Sequence, residues 1–178
     1  MKKIFSILMV ALVMVSCNDR NNNQPGGNPD EPVTQVPAIV ALNFHLDATN
    51  DMLQYLDYTV TYDDGTGEFE EIINSTRWEK TLTAALPATF TIKTRLRVKE
   101  GMYDALIAAQ SVNFTRGHGY AYQVFDSTAT AIPGMNDSFN STSSSQGVGA
   151  NIAEHCENGD FDKTYTISFD KDGNRIQN

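Results

Sequence analysis

With 22 acidic against 13 basic side chains among 178 residues, the chain has a formal net charge of −9, which sets its surface against nucleic acid and anionic lipid as partners. Cys17 and Cys156 are its two cysteines, too few for a disulfide scaffold, so stability has to come from a hydrophobic core. The roughly 140 residues from position 37 onward are enough for one such core.

Lys2 and Lys3 precede an apolar run from Ile4 to Val15 that only Ser6 interrupts. Such a run is too short to cross a bilayer and has the build of the apolar centre of an export signal, which is expected over residues 1–16. At its end, Met14-Val-Ser-Cys17 resembles the lipobox of bacterial lipoproteins. That resemblance implies that Cys17 becomes a lipid-modified N-terminus, whose acyl chains bury methylenes at about 0.8 kcal/mol each and hold the protein on a membrane. Asn18 stands where an Asp marks inner-membrane retention in enteric bacteria, and the Asn-rich stretch behind it resembles the tethers of Bacteroidota lipoproteins. The expected location is therefore the outer membrane, at its periplasmic face or at the cell surface. Loss of Lys2 and Lys3 takes the formal charge to −11.

Residues 17–36 combine the lipidated cysteine with Asn, Gln, Gly, Pro and Asp, bury little, and read as a disordered tether. Residues 37–178 read as the folded domain. From Ile39 to Asp47, Val40, Leu42, Phe44 and Leu46 alternate with Ala41, Asn43 and His45, the period of a strand with one buried face. Leu56, Tyr58, Val60 and Tyr62 repeat that pattern; Asp63-Asp-Gly-Thr-Gly67 supplies a turn, and Phe69 to Ile73 reads as the returning arm of a hairpin. Arg77 to Thr83 reads as an edge strand, because Lys80 stands between Trp78 and Leu82 and an inward charge guards an edge.

The clearest strand runs from Ala88 to Lys99. Ala88, Phe90, Ile92, Thr94, Leu96 and Val98 fall on one face and Thr89, Thr91, Lys93, Arg95, Arg97 and Lys99 on the other. Met102 to Gln110 holds fair helix formers and predicts a short turn or a single helical turn before a strand at Val112 and Phe114. Gly117-His-Gly119 is expected to break the chain ahead of another strand over Tyr120 to Asp126. Residues 127–160, poor in apolar anchors, are expected to be irregular. Tyr165, Ile167 and Phe169 face inward on a last strand over Lys163 to Phe169, followed by the turn Asp170-Lys-Asp-Gly-Asn174. About eight short strands without a sustained helical period predict an all-β fold: a single antiparallel β-sandwich of immunoglobulin-like arrangement, with a small antiparallel β-barrel as the alternative.

Several groups of residues are candidate sites. Lys93, Arg95, Arg97 and Lys99 form a cationic stripe that suits an anionic ligand, or that pairs with carboxylates such as Glu68, Glu70 and Glu71 across strands. Arg116-Gly-His-Gly-Tyr-Ala-Tyr122 gathers Arg116, His118, Tyr120 and Tyr122 at a strand end, where aromatic faces and a few donors suit a sugar and Trp78 could join them. The competing reading packs the tyrosines inside and gives the glycines to a turn. Asp170 to Asn174 and Asp63 to Glu68 place oxygens at alternate positions but lack the full spacing of a calcium loop, so they read as turns and no metal site is expected. His155-Cys156-Glu157 carries no nucleophile signature. Asp126-Ser-Thr128 resembles the short O-glycosylation site of exported Bacteroidota proteins, with Ser127 as acceptor.

No nucleotide, zinc-protease or nucleophile-elbow motif occurs in the chain, and nothing calls for a cofactor. The expectation is a lipoprotein anchored to the outer membrane that acts as a non-enzymatic binding module for a glycan or a surface protein. A structural subunit of a cell-envelope assembly and a hydrolase are the alternatives.

Overall fold

The computed structural model describes residues 35–177; the expected export signal, Cys17 and all but the last two residues of the expected tether lie outside them. Nine strands among these residues form two antiparallel sheets packed face to face. One sheet has the order β4-β1-β6-β7, from Arg77–Ala85, Pro37–Ala48, Val112–Asp126 and Ala131–Gly147. The other has the order β3-β2-β5-β8-β9, from Glu68–Ile73, Leu56–Asp63, Ala88–Val98, Lys163–Phe169 and Arg175–Ile176. The sandwich matches the expectation; the two sheets remain separate, so the barrel alternative does not apply.

The alternation of β5 explains its place at the centre of its sheet. Ala88, Phe90, Ile92, Thr94 and Leu96 are buried while the residues between them are exposed. Neighbours β2 and β8 pair with it on its two edges, Tyr58 opposite Leu96 and Ile167 opposite Phe90. Each large apolar side chain taken out of water there contributes about 2 kcal/mol. From the facing sheet, β1 supplies Val40, Leu42, Phe44 and Leu46, all essentially inaccessible. β4 is the edge strand that Lys80 announced.

Three short helices carry the chain between sheets at one end of the sandwich. α1 (Asn50–Tyr55) links β1 to β2, α2 (Tyr103–Ala108) links β5 to β6, and α3 (Gly149–Asn158) links β7 to β8. The Thr49 hydroxyl caps α1 by accepting from the Met52 amide at 3.3 Å. Gly159 ends α3 at φ 74°, the left-handed conformation that glycine adopts without strain.

Two expectations are corrected here. Gly117-His-Gly119 does not break the chain: β6 is one strand of 15 residues. The glycines serve close packing, since a Cβ on Gly119 would lie 2.2 Å from the Asn140 Oδ1 and 2.4 Å from the His45 ring. Residues 127–160 are not irregular either. They form the 17-residue edge strand β7 and the helix α3. β7 lacks apolar alternation because it is held by backbone pairing to β6 and buries almost nothing but Ile132.

Candidate functional site

Register places the site on the inner face where β6 meets β7. Phe114, Arg116, His118 and Tyr120 occupy alternate positions of β6 and so project to the same side. Directly opposite them on β7 stand Ser145, Ser143, Ser141 and Phe139. Three bulky side chains thus face serines, and the missing volume opens a trough between the sheets along the β7 edge. At one end it forms a cleft of about 220 Å³, at the other a chamber of about 410 Å³.

The cleft is walled by aromatic rings. The Tyr165 ring on β8 lies 4.5 Å from His118 and 5.4 Å from Phe44. Phe139 stacks 5.6 Å from Tyr120 and stands 5.6 Å from His118. Arg175 on β9 crosses from the facing sheet, donates to the Tyr120 hydroxyl and holds its guanidinium 5.5 Å from that ring. Burial first, then the neighbouring His45 and Arg116, lowers the His118 pKa below its usual value, which favours the neutral ring. The rings offer apolar faces; His118, Tyr165 and Arg175 offer polar edges.

The larger chamber is built around Arg116. Its guanidinium lies 5.8 Å from the Tyr58 ring and 5.9 Å from Phe161, and one terminal nitrogen donates to the Thr94 hydroxyl at 3.5 Å. Phe114 and Phe161 pack 4.8 Å apart beside it. His155, on the exposed side of α3, meets Asp160 at 2.7 Å and borders the mouth.

Of the residues singled out in the sequence, Arg116, His118 and Tyr120 come together in this trough. Tyr122 shares their face but packs edge-on against Phe169 at 4.8 Å. Trp78 is not with them: β4 is the opposite edge of the sheet, and the indole packs 5.7 Å from Tyr62. The cationic stripe lies on the outer face of β5. There Arg97 donates two hydrogen bonds of 2.8 Å to Asp162, Lys93 lies 3.9 Å from Glu68, and Lys99 donates to the Leu53 carbonyl at 2.6 Å, while Arg95 is exposed. Ser127 is exposed in the β6–β7 turn, where the Asp126 carboxylate accepts from the Thr128 and Thr130 amides.

The Asp170 carboxylate likewise accepts from the Asp172 and Asn174 amides, as an Asx turn does. Cys156 faces inward from α3 and is buried, and burial pushes its thiol up to about 11. The neighbouring His155 points away from it to solvent.

Sequence reasoning did not place Phe139, Phe161, Tyr165 and Arg175 at a site. Phe139 had a signal, as the one aromatic in a polar tract from Asn136 to Gly147. The other three reach the trough only through strand order. Comparison of the chain with protein-family models, with curated proteins and with solved structures finds no match.

Proposed function

We propose that this chain is a lipid-anchored binding module of the outer membrane that holds a glycan in the trough beside β7. The observation that carries this reading is the cleft wall itself: Phe44, Tyr120, Phe139 and Tyr165 present aromatic faces while His118 and Arg175 present donors. Pyranose rings are amphipathic, with C–H faces that stack on aromatic rings and hydroxyl edges that need polar partners, and this lining supplies both. The non-enzymatic part of the reading is supported by what lines the trough. Neither chamber includes an Asp or Glu side chain to act as acid or nucleophile on a glycosidic bond. Cys156 is buried as a protonated thiol.

A glycan array probed with the signal-free chain carrying Cys17→Ser tests the binding reading, and bound glycans are expected to be lost with Phe139→Ala. An array without hits removes it. Palmitate labelling in cells tests the anchor: label on the wild-type chain and none on Cys17→Ala is the expected result.

One observation favours a second reading, a subunit of an envelope assembly. β7 is an edge strand of 17 residues with no lysine or arginine to guard it, open to strand addition by a partner. Light scattering and crosslinking in cells separate the two, since an assembly subunit elutes as a stable complex.

A further inference from the structure

We infer that the chamber around Arg116 is a carboxylate site, and that the glycan bound by this protein carries a uronic acid. The inference rests on the glycan-binding reading and names the sugar class that fits it. A guanidinium is charged at every accessible pH, and a charge withdrawn from water is expected to find a counter-charge or a full set of acceptors. Arg116 has neither. Its Nε is buried without a hydrogen-bond partner, and among the described residues no carboxylate lies within 4 Å of it.

The two aspartates between α3 and β8 are engaged elsewhere: Asp160 with His155 and Asp162 with Arg97. In a chain of net charge −9 a half-buried cation without a carboxylate beside it is the less expected for that surplus of carboxylates. Tyr58 and Phe161 offer ring faces, which offset only part of the desolvation of an arginine.

A second polar atom close to Arg116 is likewise unmatched. The Tyr58 hydroxyl, from the facing sheet, is also buried and unpartnered. Arg116 lines a chamber of about 410 Å³, and the Tyr58 ring, 5.8 Å from its guanidinium, is buried outside that lining. The chamber has room for one sugar ring. Ser143, Ser145 and Asn151 bring neutral hydrogen-bonding groups to its wall, and Phe161 brings a stacking face. A carboxylate on such a ring accepts from the fork of Arg116 while the ring lies against Phe161. The cleft at the other end of the trough then receives the next sugar.

The test follows the Arg116 side-chain Nε–H signal by NMR in the signal-free Cys17→Ser chain, titrated with sodium glucuronate, methyl glucoside and inorganic sulfate. In parallel, the array carries uronate glycans beside their carboxyl-reduced counterparts. Glucuronate is expected to move the Nε–H signal, methyl glucoside to leave it in place, and the uronate glycans to be preferred. Arg116→Gln should weaken uronate binding roughly ten- to hundredfold, the worth of hydrogen bonds to a charged group at about 1.4 kcal/mol per decade.

Ser143→Glu keeps the test open if the first variant does not fold. Ser143 is exposed directly opposite Arg116, so a glutamate there supplies an internal counter-charge and should block uronate while sparing neutral sugars. An Nε–H signal that ignores glucuronate, one that moves equally with sulfate or methyl glucoside, or a Ser143→Glu chain that binds uronate undiminished overturns the inference. Neutral glycans bound with Arg116 silent would sink this inference alone; no glycan bound at all would sink the glycan reading with it.

Discussion

Trp78 donates its indole N–H to the Glu71 carboxylate at 2.9 Å, joining the edge strand of one sheet to the edge strand of the other. The same carboxylate accepts from the Tyr62 hydroxyl and, at 3.4 Å, from Lys80, whose ammonium sits 4.8 Å over the Tyr62 ring. These bonds, that of Trp78 foremost, hold the Glu71 carboxyl below its usual pKa. A carboxylate of depressed pKa contributes stability that is complete above its unfolded value and fades as pH falls through the folded one. Trp78→Phe keeps the ring against Tyr62 and loses the donor. With the site partly exposed, the expected loss is about 1 kcal/mol at neutral pH, below the full worth of a hydrogen bond to a charged group. Urea unfolding below pH 4.5 should show the difference from wild type shrinking.

Gly119 on β6 leaves no room for a side chain between β1 and β7. A methyl group there would stand 2.5 Å from the Phe139 carbonyl oxygen, a backbone atom that cannot swing aside, and equally close to His45 and Asn140. Gly119→Ala is expected to destabilise by about 2–3 kcal/mol, as overpacking does. Because the clash falls on the β6–β7 ladder, amide hydrogen exchange should accelerate along β7 before it does in β5.

The parts of this fold legible in the sequence are those where one face is buried and the other wet. β1, β2, β5 and β8 carry that contrast residue by residue, and Lys80 marked β4 as an edge. β7 could not be read this way. Its inward positions after Phe139 are Ser141, Ser143 and Ser145, so over that stretch its period of two is written in backbone pairing and in no apolar side chain. α3 lacks a side-chain cap at Val148, which hid its start, though Ile152, Ala153 and Cys156 followed by Gly159 spell a short buried helix face and its stop. The glycines of β6 read as punctuation because their reason lies across the sheet, at Asp47, His45 and Asn140. Likewise Arg116, His118 and Tyr120 stood out at alternate positions, but Tyr165, Phe161 and Arg175 join them only once the second sheet is in place.

His118 offers a pH signature. Its ring is packed between Tyr165 and Phe139, with Arg116 on the same strand face and His45 on the neighbouring strand, and burial lowers its pKa below 6.5. Below that value an unfolded chain takes up a proton that the folded ring declines, so stability falls as pH falls from 6.5 toward the folded pKa and levels beneath it. His118→Gln should flatten that part of the stability curve, measured by urea unfolding from neutral to mildly acidic pH. An unchanged slope would mean that the ring titrates as in water.

Phe139 separates the wall of the cleft from the core. It is 44% exposed on an edge strand, yet it stacks on Tyr120 and flanks His118. Phe139→Ala therefore costs less than about 1 kcal/mol of stability, far from the 3–5 of a buried phenylalanine. Loss of an aromatic stacking face should nonetheless weaken glycan binding about tenfold, read by titration calorimetry with whichever array hit binds best.

Cys156 tests how well α3 seals its end of the sandwich. Burial raises its thiol from 9.0 to about 11, so at pH 8 about one molecule in a thousand carries the thiolate, against about one in ten for a free cysteine. Access is closed as well, since the side chain is 1% exposed beneath the helix. In the chain carrying Cys17→Ser, iodoacetamide at that pH should label Cys156 only through local opening of α3, at a rate that rises steeply with sub-denaturing urea. Fast labelling of the native chain, independent of urea, would show an accessible and activated thiol and would reopen a nucleophilic role for this residue.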